Sequence, residues 1–290
     1  MTDKNMEKEF LKSEIGGGVV LLSFDVEEFD LPREHGAEIS LEEGVKVSVE
    51  GLMRILKVLK KTGVKATFFV TGNFANLRPD LVIAICDAGH EIACHGVNHF
   101  EPGESDIVES KKIIEEIAGV RVEGYRQPRM GSINYDELKR CGYKYDSSVN
   151  PAFIPGRYNH LNVPRGLFVE NGIVEVPTSV ATFMRVPLFW LALHLFPLMM
   201  YVGFAKMAVK KTGYFATYFH PWEFAEISSF KSVPSYIKHN SGKKMADRLF
   251  KVILKLQKKG YAFMAYENYV SIYYNGVKKG KNEKVKYAKN

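Results

Sequence analysis

The chain has 290 residues, of which 46% are apolar and 25% charged, enough to bury one large core and too apolar for a disordered or fibrous chain. The formal net charge of +7 is weighted toward the end, where residues 277–286 hold five lysines against one glutamate. No groove of aromatics and arginines accompanies them, so a solvated, poorly ordered tail is expected and nucleic-acid binding is not.

Residues 1–16 are polar and of mixed charge, with no apolar signal core, and read as an N-terminal extension. Three cysteines, Cys86, Cys94 and Cys141, cannot all pair, which points to reduced thiols and a cytoplasmic setting, at most at the inner face of a membrane. Neither a linker nor a repeat interrupts residues 17–275, which read as one domain, and residues 276–290 read as a basic tail.

Residues 18–25 are an apolar run ending in acids, the pattern of a buried strand that delivers Asp25 to a site. Helical spacing comes next over 41–61, then a strand over 65–70, a helix over 79–88 with proline at its start, and a strand over 91–94. A helix over 105–118, a strand ending at Tyr125-Arg126 and a short helix over 134–141 opened by an asparagine cap come after these. Strands over 173–177, 214–220 and 261–265 complete the set, with a helix over 245–259 between the last two. Repeated β/α alternation predicts an α/β fold with a parallel sheet, open or closed as a barrel.

Asp25, His95, Arg126 and His220 each fall at or just past the C-terminal end of a predicted strand, where parallel α/β folds build their sites. Asp25 and Glu27 are two apart and share a face, with Glu28 and Asp30 extending the acidic cluster. His95 and His99 are four apart and would share one face of a helical turn. Two imidazoles and a carboxylate make an open site for zinc or another divalent ion, whose bound water has its pKa lowered from 15.7 toward ~7 to 9. Arg126 could lock a carboxylate base by a two-pronged pair or serve as a structural ion pair. His220 ends an alternating strand before Pro221 and could protonate a leaving amine or sit in the core. Trp222 beside it suits a sugar subsite or plain packing. Cys94, next to His95 on a strand, should point to the opposite face and be buried. His35, His90, His160, His194 and His239 lack such company and read as structural or surface residues.

Residues 186–209 are apolar enough to raise a membrane span, but Pro187, His194, Pro197 and Lys206 argue for a buried helix pair and pocket wall. Partial exposure would instead suit peripheral contact with a membrane.

In this order the fragments Phe24-Asp25-Val26-Glu27-Glu28, His95-x-x-x-His99, Arg126-x-Pro128 and His220-Pro221-Trp222-Glu223 resemble the polysaccharide deacetylase family, the NodB-homology or carbohydrate esterase family 4 group. The resemblance spans residues 19–265. It implies a single-domain distorted (β/α)7 barrel that uses a divalent metal to remove acyl groups, usually acetyl, from amino sugars of a polysaccharide, peptidoglycan or lipid-linked glycan. Carried onto this chain, it makes Asp25 the base, His95 and His99 metal ligands, His220 the acid and Arg126 the residue that orients Asp25. Pro128 and Trp222 fall at substrate-facing positions, and Asp146 matches a segment near the pocket that supports Arg126 or substrate. Most relatives carry two adjacent aspartates where this chain has Asp25-Val26-Glu27. Glu27 is therefore the expected third ligand, with Asp25 the alternative. The Asp-Val-Glu and His-Pro-Trp-Glu pattern resembles a subgroup within the family. Two other functions fit the same residues, a catalytically silent carbohydrate-binding barrel and a deacylase of a small non-sugar amide.

Overall fold

The structure, a computed structural model, describes residues 17–287 apart from 104, 156–157 and 183. The expected extension at residues 1–16 lies outside the described residues.

β1 (Val19–Val26) is flanked by β10 (Tyr214–Phe219) on one side and β2 (Thr67–Val70) on the other, with β3 (Glu91–Cys94), β4 (Gly124–Tyr125), β5 (Tyr145–Asp146) and β9 (Ile173–Glu175) continuing in parallel. β8 (Phe168–Glu170) closes that edge antiparallel to β9, and β11 (Ala262–Phe263) adds to the start of β1. The gap between the edges is bridged where Ser179 N donates to Ala216 O of β10 at 2.9 Å. The result is the expected α/β fold, a distorted (β/α)7 barrel, with a two-stranded hairpin of β6 (Phe153–Ile154) and β7 (Tyr158–Asn159) outside it.

Period-two alternation decides what each strand presents. In β1, Val20, Leu22, Phe24 and Val26 pack outward beneath the helices, whereas Val19 and Leu21 turn into the barrel. The same alternation in β2 sends Phe68 and Val70 out and Phe69 in, and in β10 sends Phe215 and Phe219 out and Tyr214 and Ala216 in. Continued by one step, it brings Asp25, His95 and His220 to the inner side at the C-terminal ends.

Among the helices, α1 (Leu31–Glu34) and α2 (Leu41–Thr62) come after β1, and α3 (Gly72–Leu77) and α4 (Pro79–Asp87) after β2. α5 (Asp106–Ala118) and α6 (Tyr135–Arg140) come after β3 and β4. The long apolar stretch forms two helices, α7 (Trp190–Leu195) and α8 (Leu198–Thr212), parted at Pro197. No helix among the described residues is long and apolar enough to cross a membrane. α9 (Ser235–Lys238) and α10 (Lys243–Gln257) lead to β11.

α11 (Tyr266–Tyr287) is absent from the sequence expectations. Tyr266, Tyr269, Val270 and Tyr273 drive into the barrel interior against Tyr145 and Tyr214, plugging the end opposite the strand C-termini. The backbone of this helix runs to Tyr287, through the segment read from sequence as a basic tail.

Candidate metal centre

Asp25 leaves β1 facing Arg126, which is fully buried just after β4. Arg126 Nη1 donates to Asp25 Oδ1 and, at 3.1 Å, to Ser23 Oγ. Its Nε donates to Ser147 O at 2.8 Å and its Nη2 to Ser147 Oγ at 3.0 Å, while the guanidinium lies 4.0 Å over the Phe69 ring. Burial alone would raise the Asp25 pKa; the positive field of Arg126 outweighs it, with help from His95 and His220, and holds the carboxyl below its usual range.

His95 and His99 do not share a helical turn. Residues 95–99 form an irregular loop in which Gly96 takes φ +67°, and a Cβ there would stand 2.8 Å from Pro128 Cγ. Asp106 Oδ2 accepts from Val97 N at 3.0 Å and from Asn98 N at 3.3 Å, fixing the loop. The rings still converge, with centroids 5.6 Å apart. His95 Nδ1 donates to Arg126 O at 2.8 Å, and His99 Nδ1 to Asp30 Oδ2 at 2.7 Å. Both Nε2 atoms are thereby left as lone-pair donors facing inward.

They face Glu27. Its Oε2 lies 3.4 Å from His95 Nε2 and 3.1 Å from His99 Nε2, yet is buried with no hydrogen-bond partner. Its Oε1 accepts from Trp222 Nε1 at 3.3 Å. Burial pushes the Glu27 pKa far up, more than the neighbouring His99 can offset. Three electron-rich atoms turned toward one another in a dry site repel unless a cation or proton lies between them, and these three groups offer atoms within 4.8 Å of one another. The donor set thus fits a divalent ion. Asp25 Oδ2 is 4.0 Å from His95 Nε2, and that carboxylate is committed to Arg126, so Glu27 is the carboxylate that meets both imidazoles.

His220 stands opposite, its Nε2 3.9 Å from Glu27 Oε1. Glu223 fixes the ring, accepting at Oε1 from His220 N at 2.6 Å and from Nδ1 at 3.1 Å. Its Oε2 accepts from His194 Nε2 at 3.1 Å, and all three residues are buried. Burial pulls His220 down to about 3, against the pull of the Asp25 carboxylate. Sequence reasoning notes Glu223 within its motif but gives it no role, and reads His194 as a structural or surface residue; the three-residue step from His220 to Glu223 across a proline is the signal that could have found the pair.

These groups open on a cleft of about 380 Å³. Its lining mixes polar side chains, among them Asp30, Glu34 and Arg129, with apolar and aromatic ones, among them Phe189, Trp190 and Tyr236. His35, read from sequence as a structural or surface residue, is exposed and lines the cleft, and so does Trp222. Pro128 and Asp146 are not among the lining residues. Pro128 is buried against Gly96, shaping the histidine loop instead. Asp146 is fully buried, its carboxylate accepting from Ser148 N and Oγ at 2.8 Å each, opposite Glu175 in the β5–β9 register. Both side chains, expected from the resemblance to face substrate or the pocket, are instead packed into the wall behind the cleft. Cys94 faces outward into the core, and burial raises its thiol to about 12, which makes it no ligand.

Known proteins are similar to this chain to different depths. The family model for polysaccharide deacetylase matches residues 16–145. A peptidoglycan deacetylase of Helicobacter pylori is 32% identical over 108 residues, covering 34% of this chain and 37% of that protein. The chain thus spans little more than a third of the length of the curated relatives it matches. Among solved structures, a Mycobacterium smegmatis protein provisionally assigned as a polysaccharide deacetylase superposes with a TM-score of 0.62 at 19% identity, over 88% of this chain and 90% of that one. Puue allantoinase superposes with a TM-score of 0.60 at 16% identity, over 89% of each chain. At such identities the likeness is one of fold. Residues 16–145, the part that matches the polysaccharide deacetylase model, carry Asp25, Glu27, His95, His99 and Arg126, so the family likeness rests on the segment that builds most of the site.

Proposed function

We propose that the protein is a metal-dependent deacylase that removes an N-acetyl group from an amino sugar of a peptidoglycan-type or related glycan. The observation that carries this reading is the meeting of Glu27, His95 and His99 beside an Arg126-held Asp25 and a Glu223-held His220 at one cleft. The peptidoglycan deacetylase relative supports the choice of substrate class.

A divalent ion, zinc by its liking for two imidazoles and a carboxylate, would be held by Glu27, His95 and His99 and would supply polarisation of the amide carbonyl and acidification of water. Asp25, kept ionised by Arg126, takes a proton from the attacking water. His220 gives a proton to the departing nitrogen. For that step His220 must be charged, which burial opposes and the Asp25 carboxylate favours. Glu223 holds its ring so that Nε2 faces the cleft. Trp222, stacked on His220 with centroids 5.1 Å apart, holds Glu27 and walls the site. The bond broken is the amide C–N, and the products are acetate and a free amine.

The test is acetate release from N-acetylglucosamine oligomers and peptidoglycan fragments, run beside O-acetyl esters and small amides. Release from the sugar amides, lost in Asp25→Asn, is the predicted result. Binding of the oligomers with no acyl release from any of them would overturn the reading in favour of a carbohydrate-binding barrel.

A further inference from the structure

The apolar part of the cleft lining continues onto the outside of the molecule. α7 carries Trp190 and Leu191 into the cleft and then exposes Leu195 (53%), after which Met199 (67%) and Met200 open α8 to solvent. α9 packs against α7, and its Tyr236 both lines the cleft and stands 51% exposed. Asn240 Nδ2 donates to His194 O at 2.7 Å, and Arg248 reaches Leu193 O at 3.0 Å and Phe196 O at 2.6 Å, so this lip is held firmly to α10. A side chain that only filled a core would not be left outside on a braced surface.

The two chain segments that form the lip are basic. Residues 176–222 contain Arg185, Lys206, Lys210 and Lys211 and no acid; residues 227–246 contain Lys231, Lys238, Lys243 and Lys244 and no acid. Glu226 and Asp247 bound the second segment, and Glu226 pairs with Arg54 at 3.7 Å and accepts from Lys243 N at 3.3 Å. The acids that line the cleft, Asp25, Glu27, Asp30 and Glu34, all come from residues 25–34 and not from these two segments. Exposed methionine and leucine on segments that carry exposed lysines and no carboxylate of their own is the chemistry of a face that sinks about 5–10 Å into an anionic bilayer.

We propose that the lip formed by Leu195, Met199, Met200 and Tyr236, with Lys231, Lys243 and Lys244 around it, docks the protein on the surface of an anionic phospholipid bilayer, holding the mouth of the cleft against the headgroups. The proposal does not depend on the reaction, and a silent barrel would dock in the same way. Docked so, the cleft receives a glycan carried on, or lying against, the membrane.

The full chain is sedimented with vesicles of phosphatidylcholine alone and of phosphatidylcholine with phosphatidylglycerol. Binding to the anionic vesicles only, weakened by salt, is the expected result. Leu195→Ser/Met199→Ser/Met200→Ser and, separately, Lys243→Glu/Lys244→Glu should each lower the partition coefficient by about tenfold or more. A variant with lysines 278, 279, 281, 284 and 286 changed to glutamine should bind like the wild type, and far-ultraviolet circular dichroism checks that every variant folds. No binding to anionic vesicles, wild-type binding by folded lip variants, or loss of binding in the tail variant would each overturn the proposal.

Discussion

His99 Nδ1 donates to Asp30 Oδ2 at 2.7 Å, and this bond from a loop 69 residues away turns the His99 Nε2 lone pair toward Glu27. A carboxylate behind a ligating imidazole fixes its tautomer and raises its basicity. Asp30→Ala is therefore predicted to weaken zinc affinity by about 10- to 100-fold. Competition with a chromophoric chelator measures it; unchanged affinity would remove Asp30 from the site.

Arg126 grips Asp25 while spending Nε and Nη2 on Ser147, a planar arrangement that a lysine cannot copy. Arg126→Lys should lower kcat by about 10²-fold or more with a smaller change in KM, because a positive charge remains but the base loses the planar grip that orients it. An equal kcat would show that Arg126 is only a structural ion pair.

His194 reaches the reacting atoms only through Glu223 and His220, which makes it a positioning residue. His194→Ala is predicted to cut kcat by about tenfold at unchanged zinc content, and His194→Gln, which keeps a donor for Glu223 Oε2, should recover part of it. Equal losses in the two variants would point to packing alone.

Glu91 lies on the inner face of β3 away from the metal site, accepting from Thr67 Oγ1 at 2.5 Å, Tyr145 OH at 2.6 Å and Glu267 N at 3.1 Å. Burial, with Glu267 adding to it, raises its pKa to about 8. The native state keeps this proton while the unfolded chain releases it near pH 4.5, so stability falls with rising pH between about 4.5 and 8 and levels off above. At ~1.4 kcal/mol per unit the span amounts to roughly 5 kcal/mol. Glu91→Gln removes this slope. Urea unfolding at pH 5, 6, 7 and 8 should show the variant gaining on the wild type as pH rises, and a pH-independent difference would contradict the assignment.

Much of this arrangement is legible along the chain because it obeys local period. The strand from Val19 carries Asp25 inward by simple alternation, and Pro197 parts the apolar stretch into two helices. What period cannot give is contact between distant segments. Four-residue spacing suggests a helical turn for His95 and His99, whereas Gly96 packed on Pro128 and the Asp106 carboxylate build a loop. Asp30 behind His99 and His194 behind Glu223 come together only through the barrel's closure. Asp146 looks like a pocket residue from its neighbours in sequence, but β5 turns it into the wall beside Glu175. The helix from Tyr266 is hidden because its buried tyrosines give way to a lysine-rich end that reads as a tail.

The most direct test of the metal centre is elemental analysis of the zinc-loaded protein beside a His95→Ala/His99→Ala variant loaded in the same way. The account predicts about one zinc per wild-type chain and a loss of that ion in the folded variant. No zinc in the folded wild type, or equal zinc in both, would contradict it.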